Sequence, residues 1–188
     1  MEQTLIQKAV TPDLAEYAQV VALYEEAFPP EERYPVELLD RSVAWPGIEY
    51  TAYFDGDLLC GFTHSAIAGG YLYVIFLAVN AHVRSRGYGT RILAQIRAAH
   101  PDCMTVLEIE PLDPAAPNND QRLRRLAFYE RNGFTPAGYV LREEEMDYAV
   151  LVAPPFDGRE AQFDPAEFVD TMVELTNGEI PLEILEEA

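Results

Sequence analysis

The segment from Tyr71 to Ala99 constrains this chain more than any other. Tyr71 to Val79 is continuously apolar and rich in β-branched and aromatic side chains, the pattern of a central strand covered on both faces. The period then changes: Ile92, Leu93 and Ile96 recur at helical spacing between Arg91 and Ala99, and Pro101 ends the helix. Gly87 and Gly89 lie in the switch. A buried strand that runs through closely spaced glycines into a helix aims several backbone N–H groups and the positive end of the helix dipole at one point, which suits a phosphate. The glycines let the backbone approach a pyrophosphate with no side chain in between, while Arg84 and Arg86 add charge. Two familiar phosphate loops are excluded. A P-loop needs Lys-Ser or Lys-Thr after its glycines, and Lys8 is the only lysine; the GxGxxG pattern fails because Thr90-Arg91-Ile92 follow Gly89.

The charge distribution points the same way. The chain of 188 residues carries a formal net charge of -19, yet between Arg84 and Arg131 eight arginines meet six acids. The other residues hold five basic and twenty-six acidic side chains. Such an acidic exterior repels nucleic acid and anionic membranes, whereas the basic segment suits a phosphorylated ligand. A hydrophobic fraction of 49% is too high for a disordered chain. The longest apolar run, Tyr71 to Val79, is far short of the ~20 residues that span a bilayer, and the start has no export pattern. Cys60 and Cys103 lack a CxxC spacing and read as reduced thiols, which places the chain in the cytoplasm. His64 and His82 have no metal-ligand partners at recognisable spacing, so no metal is expected.

Around the central segment the sequence predicts an alternating order of elements. Leu5 to Ala9 reads as a strand, Thr11-Pro12-Asp13 as the start of a helix, and Pro35 as the start of a second. Ile48 to Phe54 and Leu58 to Ala68 form a hairpin about Asp55-Gly56-Asp57. Met104 to Glu110 is a strand, any one of Asn118, Asn119 and Asp120 could cap a helix running to about Arg131, and Phe134 to Leu141 and Met146 to Val152 are strands. These elements define a domain over residues 1–153; residues 154–188 read as an acidic extension with a helix from Pro165 to about Thr176.

Arg84-Ser85-Arg86-Gly87-Tyr88-Gly89 resembles the Arg/Gln-x-x-Gly-x-Gly/Ala motif of the GNAT superfamily of acyl-CoA N-acyltransferases, and it lies between the strand and helix where that family carries it. Phe128-Tyr129-Glu130-Arg131-Asn132-Gly133-Phe134 is similar to a second family signature. The resemblance covers roughly the first 150 residues. It implies an α/β fold of GNAT type: a mixed, mostly antiparallel sheet of about six or seven strands, flanked by about four helices and splayed between two central parallel strands. The implied activity is acetyl transfer from acetyl-CoA to an amine of a small molecule or peptide, by direct attack in a ternary complex and without metal.

The resemblance also assigns roles. Main-chain N–H groups of Leu77, Ala78 and Val79 would lie beside the pantetheine and the thioester, and Arg84, Ser85, Arg86, Gly87, Tyr88, Gly89 and Thr90 would hold the pyrophosphate. Tyr129 matches the proton donor to the departing thiolate. Alkylamines are mostly protonated near neutral pH, so a base is needed. Glu108 matches the family's glutamate, and Glu110 shares its strand face, so either could serve; alternatively one of them pairs with a nearby arginine. Where many relatives carry an asparagine, seven positions before the tyrosine, this chain has Arg122. Arg122 and Arg125 share a helical face with Tyr129 and are expected to flank the CoA phosphates, with Asn119 in the same cofactor site. Glu31, Glu32 and Tyr34, around Phe28-Pro29-Pro30, suit a cationic acceptor, although a charge run is also a plain solvated face. A homodimer is compatible with the sequence. Two other readings stand beside the enzyme: a silent acyl-CoA sensor that keeps the loop without turnover, and an acidic interaction domain.

Overall fold

The computed structural model describes residues 4–83, 86–143, 146–180 and 182–186. They divide into two compact units, one comprising the chain up to Ile67 with Val74–Ala99, the other Ala68–Tyr73 with His100 onward.

In the first unit the strands are β1 (Ile6–Ala9), β2 (Ile48–Asp55), β3 (Leu58–Ala68) and the later part of β4 (Tyr71–Val79), in the order β1-β2-β3-β4. β1 pairs antiparallel with β2 from Ile6↔Phe54 to Ala9↔Thr51, and β2 with β3 from Ile48↔Ala66 to Asp55↔Leu58. The β2–β3 turn has Gly56 at a φ of 61°, the positive value that glycine supplies at the first central position of a tight hairpin. Alternation along β2 sorts its side chains. Tyr50, Ala52 and Phe54 pack with Val20, Leu23 and Tyr24 of α1 (Tyr17–Ala27) and Leu39 of α2 (Val36–Ser42). Tyr53 packs instead with Leu5, Cys60, Val83, Tyr88 and Ile92, the last two from α3 (Tyr88–Ala99).

Helix α1 starts later than Thr11-Pro12-Asp13 predicts. Leu14 N donates to Thr11 O at 2.9 Å and Tyr17 N to Leu14 O at 2.9 Å, so residues 11–16 form separate turns before the helix opens. The local signal marks a turn, which the chain closes before it can propagate.

Gly61 sets the approach of β3 to the end of β4. A Cβ there would lie 2.3 Å from Ala78 O and 2.9 Å from Ile92 Cδ1, the first of which is backbone and cannot turn aside. Gly61→Ala is therefore expected to lower stability by about 1–3 kcal/mol, read as a lower urea midpoint with an unchanged slope.

In the second unit the order is β4-β5-β7-β6-β8, with β5 (Met104–Ile109), β6 (Thr135–Glu143), β7 (Met146–Ala153) and β8 (Glu183–Glu186). The start of β4 runs parallel to β5 through Tyr71↔Met104, Leu72↔Thr105 and Tyr73↔Val106, and the other pairings are antiparallel. Helix α4 is Asn119–Glu130. Residues 154–188 fall within this unit and contribute α5 (Pro165–Leu175) and β8. Asp164 caps α5, its Oδ1 accepting from Ala166 N and Glu167 N at 3.0 Å each, with Pro165 at the first turn. Among the described residues the sheet has eight strands, one more than expected, and β8 is the addition. It pairs with β6 from Tyr139↔Glu186 to Arg142↔Glu183.

Candidate active site

The first unit presents the glycine loop. Asn80 ends β4: its N donates to Cys60 O at 2.9 Å, its Nδ2 to Leu59 O at 2.9 Å, and its Oδ1 accepts from His82 N at 3.0 Å. Residues Ala81–Val83 follow as a 3-10 turn. Gly87 then takes a φ of 78°, and nothing lies within 4 Å of where a Cβ would stand, so the backbone there faces open space. The first intrahelical bond that reaches back to the loop is Arg91 N to Gly87 O at 3.1 Å. The amides of Tyr88, Gly89 and Thr90 thus lie in the first turn, where a helix provides no acceptor of its own. Arg86 and Thr90 are exposed; Arg84 and Ser85 lie outside the described residues.

The Tyr88 side chain packs with Tyr53, Cys60 and Ile92. It is buried, and its hydroxyl donates to Asp55 Oδ2 at 2.8 Å. Arg91 stacks on that ring at 5.1 Å and reaches the same carboxylate at 3.8 Å. Asp55 closes the β2–β3 hairpin, so hairpin and helix start are fastened at one point. Of the strand residues assigned to the thioester, Ala78 is buried and Leu77 and Val79 are half-buried.

The turn between α1 and α2 lies in the same unit. Tyr34 packs its ring against Phe76 at 5.4 Å, and its carbonyl accepts from Tyr24 OH at 3.0 Å. Glu31 is exposed and Glu32 half-buried. His64, in the same core, is fully buried with Nε2 2.9 Å from Ser42 Oγ, and burial pulls its pKa down to about 4, so it is a neutral core side chain near neutral pH.

The second unit holds the titratable candidates. Glu108 lies on β5 and Glu110 just past its end, and the two meet different neighbours. Tyr73, from the start of β4, donates its hydroxyl to Glu108 Oε1. Glu110 accepts from Asn118 Nδ2 at 2.9 Å and Arg122 Nη2 at 3.1 Å through Oε1, and from Arg125 Nη1 at 2.8 Å through Oε2. Arg122 is further held by Asn118 Oδ1 at 3.0 Å and Pro111 O at 2.6 Å. The pairing of one glutamate with arginine, open from the sequence, falls to Glu110. Asn119 uses its Oδ1 to accept from Asp113 N at 3.1 Å, which folds the loop before α4.

Tyr129, near the end of α4, is buried against Phe128 at 5.1 Å and Phe134 at 5.6 Å. Burial pushes its hydroxyl pKa up to about 12, with Arg125 one turn earlier opposing the shift. It is protonated throughout the neutral range. Sequence reasoning missed Tyr73, Asp55 and Asn80. Alternation offered a partial signal for the first, because Tyr73 pairs with Val106 and so shares the face of Glu108.

Residues 46–136 match the model of the acetyltransferase (GNAT) domain. The chain carries a GNAT acetyltransferase domain. The eight-stranded α/β architecture of the described residues is the GNAT fold. A protein assigned to the GNAT family from Bacteroides thetaiotaomicron is 26% identical, with 87% of this chain and 93% of that one covered at a TM-score of 0.67. An aminoglycoside 6'-N-acetyltransferase crystallised with coenzyme A shares the fold at a TM-score of 0.61, with 18% identity and coverage of 83% and 99%. The ribosomal-protein-S18-alanine N-acetyltransferase of Escherichia coli does so at 0.60, with 13% identity and coverage of 86% and 100%. No curated protein matches the GNAT chain by sequence. Among its described residues no helix is long and apolar enough to cross a membrane, and no group of three or more His, Cys, Asp or Glu side chains is placed to hold a metal.

Proposed function

We infer that this GNAT chain is an N-acetyltransferase that moves the acetyl group of acetyl-CoA to an amine of a small molecule or peptide. The observation that carries the reading is Gly87, held at positive φ with open space before it at the start of a twelve-residue helix, within a GNAT domain. Arg86 and the amides of Gly87, Tyr88, Gly89 and Thr90 receive the pyrophosphate, with Arg84 and Ser85 completing the loop. Main-chain groups of Leu77, Ala78 and Val79 receive the pantetheine and polarise the acyl carbonyl. Arg122 and Arg125 are engaged with Glu110, so the phosphate contacts rest on the loop. The solved neighbour that contains coenzyme A supports the choice of donor.

The chemistry divides between Glu108 and Tyr129. Glu108 takes the proton of the attacking amine while its nitrogen bonds to the thioester carbon. The C–S bond then breaks, and the departing thiolate takes the Tyr129 hydroxyl proton, which solvent later replaces. A thiol of ordinary pKa ~8.5 leaves more readily with such a donor at hand. Glu31, Glu32 and Tyr34 receive a cationic acceptor. The buried, free cysteines suit a reducing cytoplasm.

The test is release of free CoA from acetyl-CoA across a panel of alkyl diamines, amino sugars and peptide N-termini. Saturable release with at least one amine is expected. Binding of acetyl-CoA with no release above the amine-free rate for any amine would replace this reading with the sensor.

A further inference from the structure

The extension beyond residue 153 carries a helix whose buried face lies on the side chain that holds Glu108. Phe168 of α5 is fully buried, and its ring meets the Tyr73 ring edge-on, with centroids 5.2 Å apart at 88°. Tyr73, itself 1% exposed, donates its hydroxyl to Glu108 Oε1. Phe168 also meets Tyr71 at 5.4 Å and Phe163 at 5.6 Å, and Phe163 in turn touches Tyr139 of β6 at 6.0 Å. One helical turn on, Met172 is buried as well, and Thr171 stands 3.0 Å from where a Cβ on Gly69 would lie. Helix α5 is therefore seated closely on the start of β4, and its cap at Asp164 fixes where it begins.

A tyrosine ring held only by strand neighbours can turn about its first side-chain torsion; an edge-on aromatic partner across a dry contact removes that freedom. The hydroxyl is then fixed on one oxygen of Glu108, which leaves the other oxygen's direction defined. We propose that α5 is part of the catalytic apparatus: Phe168 positions Tyr73, and Tyr73 positions the carboxylate of Glu108. Neither touches substrate; both are positioning residues. This inference rests on the role given to Glu108 above.

The test uses the full chain with Phe168→Leu, Phe168→Ala, Tyr73→Phe and Glu108→Gln. Leucine keeps the apolar fill and lacks the ring edge, so it stays interpretable where alanine weakens folding. The first readout is the Tyr73 hydroxyl proton, a downfield NMR signal identified by its loss in Tyr73→Phe. It is expected to move upfield or exchange away in Phe168→Leu. The second is steady-state kinetics: kcat falls about 10- to 100-fold in Phe168→Leu and in Tyr73→Phe, KM for acetyl-CoA holds, and the double variant is no slower than Tyr73→Phe alone. An unmoved hydroxyl signal with wild-type kcat in folded Phe168→Leu overturns the proposal while a slow Glu108→Gln upholds the base. A moved signal beside wild-type turnover in Glu108→Gln upholds the positioning chain and removes the base.

Discussion

Replacing Glu108 by glutamine is expected to lower kcat by about 10²–10⁴-fold, the usual contribution of a positioned base. Glutamine keeps the shape and still accepts a hydrogen bond from Tyr73 but cannot take the proton of an ammonium or amine. The loss should shrink as the pH rises toward the acceptor's own pKa, because solvent then deprotonates the amine unaided. Binding of acetyl-CoA should be unchanged. Glu110→Gln is the contrasting variant. Its carboxylate is held by Arg122 and Arg125, so glutamine removes the charge that both guanidinium groups pair with and lowers stability while turnover stays close to wild type. Steady-state rates of both variants across the pH range distinguish them; a slow Glu110→Gln beside a normal Glu108→Gln would reverse the assignment.

Tyr129→Phe is expected to lower kcat by about 10²-fold or more with little change in KM for acetyl-CoA, because the role proposed for the hydroxyl is on the leaving thiolate and not on the bound donor. The phenylalanine fills the same space between Phe128 and Phe134, so the fold is preserved. The sign of the pKa shift adds a second check. Burial raises the hydroxyl pKa to about 12, so the folded protein keeps a proton that the unfolded chain loses near pH 10. The stability associated with this group is complete below about pH 10 and declines as the pH rises toward about 12. No loss of activity from its ionisation should occur below about pH 10, and a basic limb at neutral pH that disappears in Tyr129→Phe would contradict the role.

Much of the fold is legible in the residues because the decisive signals are local. The apolar run of β4, the glycines after it and the helical spacing of Ile92, Leu93 and Ile96 lie within one stretch of chain. Asp55-Gly56-Asp57 marks the hairpin, and Pro165 the start of α5. The strand β8 is not legible. Glu183–Glu186 is short and rich in glutamate, a residue with low strand propensity, and it is a strand because the edge of β6 offers it a partner.

The site shows the same division. The sequence places Glu108 and Glu110 on one face, but only distant groups tell them apart: Tyr73 comes from a parallel neighbour, and Arg122 and Arg125 from a later helix. Strand register is non-local, so the Tyr73 contact has no signature near either residue. Arg122 is an instance of a charge whose partners are set by a loop; the Pro111 carbonyl and Asn118 claim donors that the helical pattern alone assigned to phosphate.

The central claim is that the chain binds acetyl-CoA through the amides that follow Gly87. Isothermal titration of acetyl-CoA into the wild type, Gly87→Ala and Gly87→Glu tests it most directly. Both variants carry the same backbone strain at positive φ, with free space for the side chain, and only the glutamate places a negative charge where the pyrophosphate should rest. Saturable binding by the wild type, weaker binding by the alanine variant and none by the glutamate variant is the predicted order. No heat from the wild type, or equal affinity in the alanine and glutamate variants, would contradict the account.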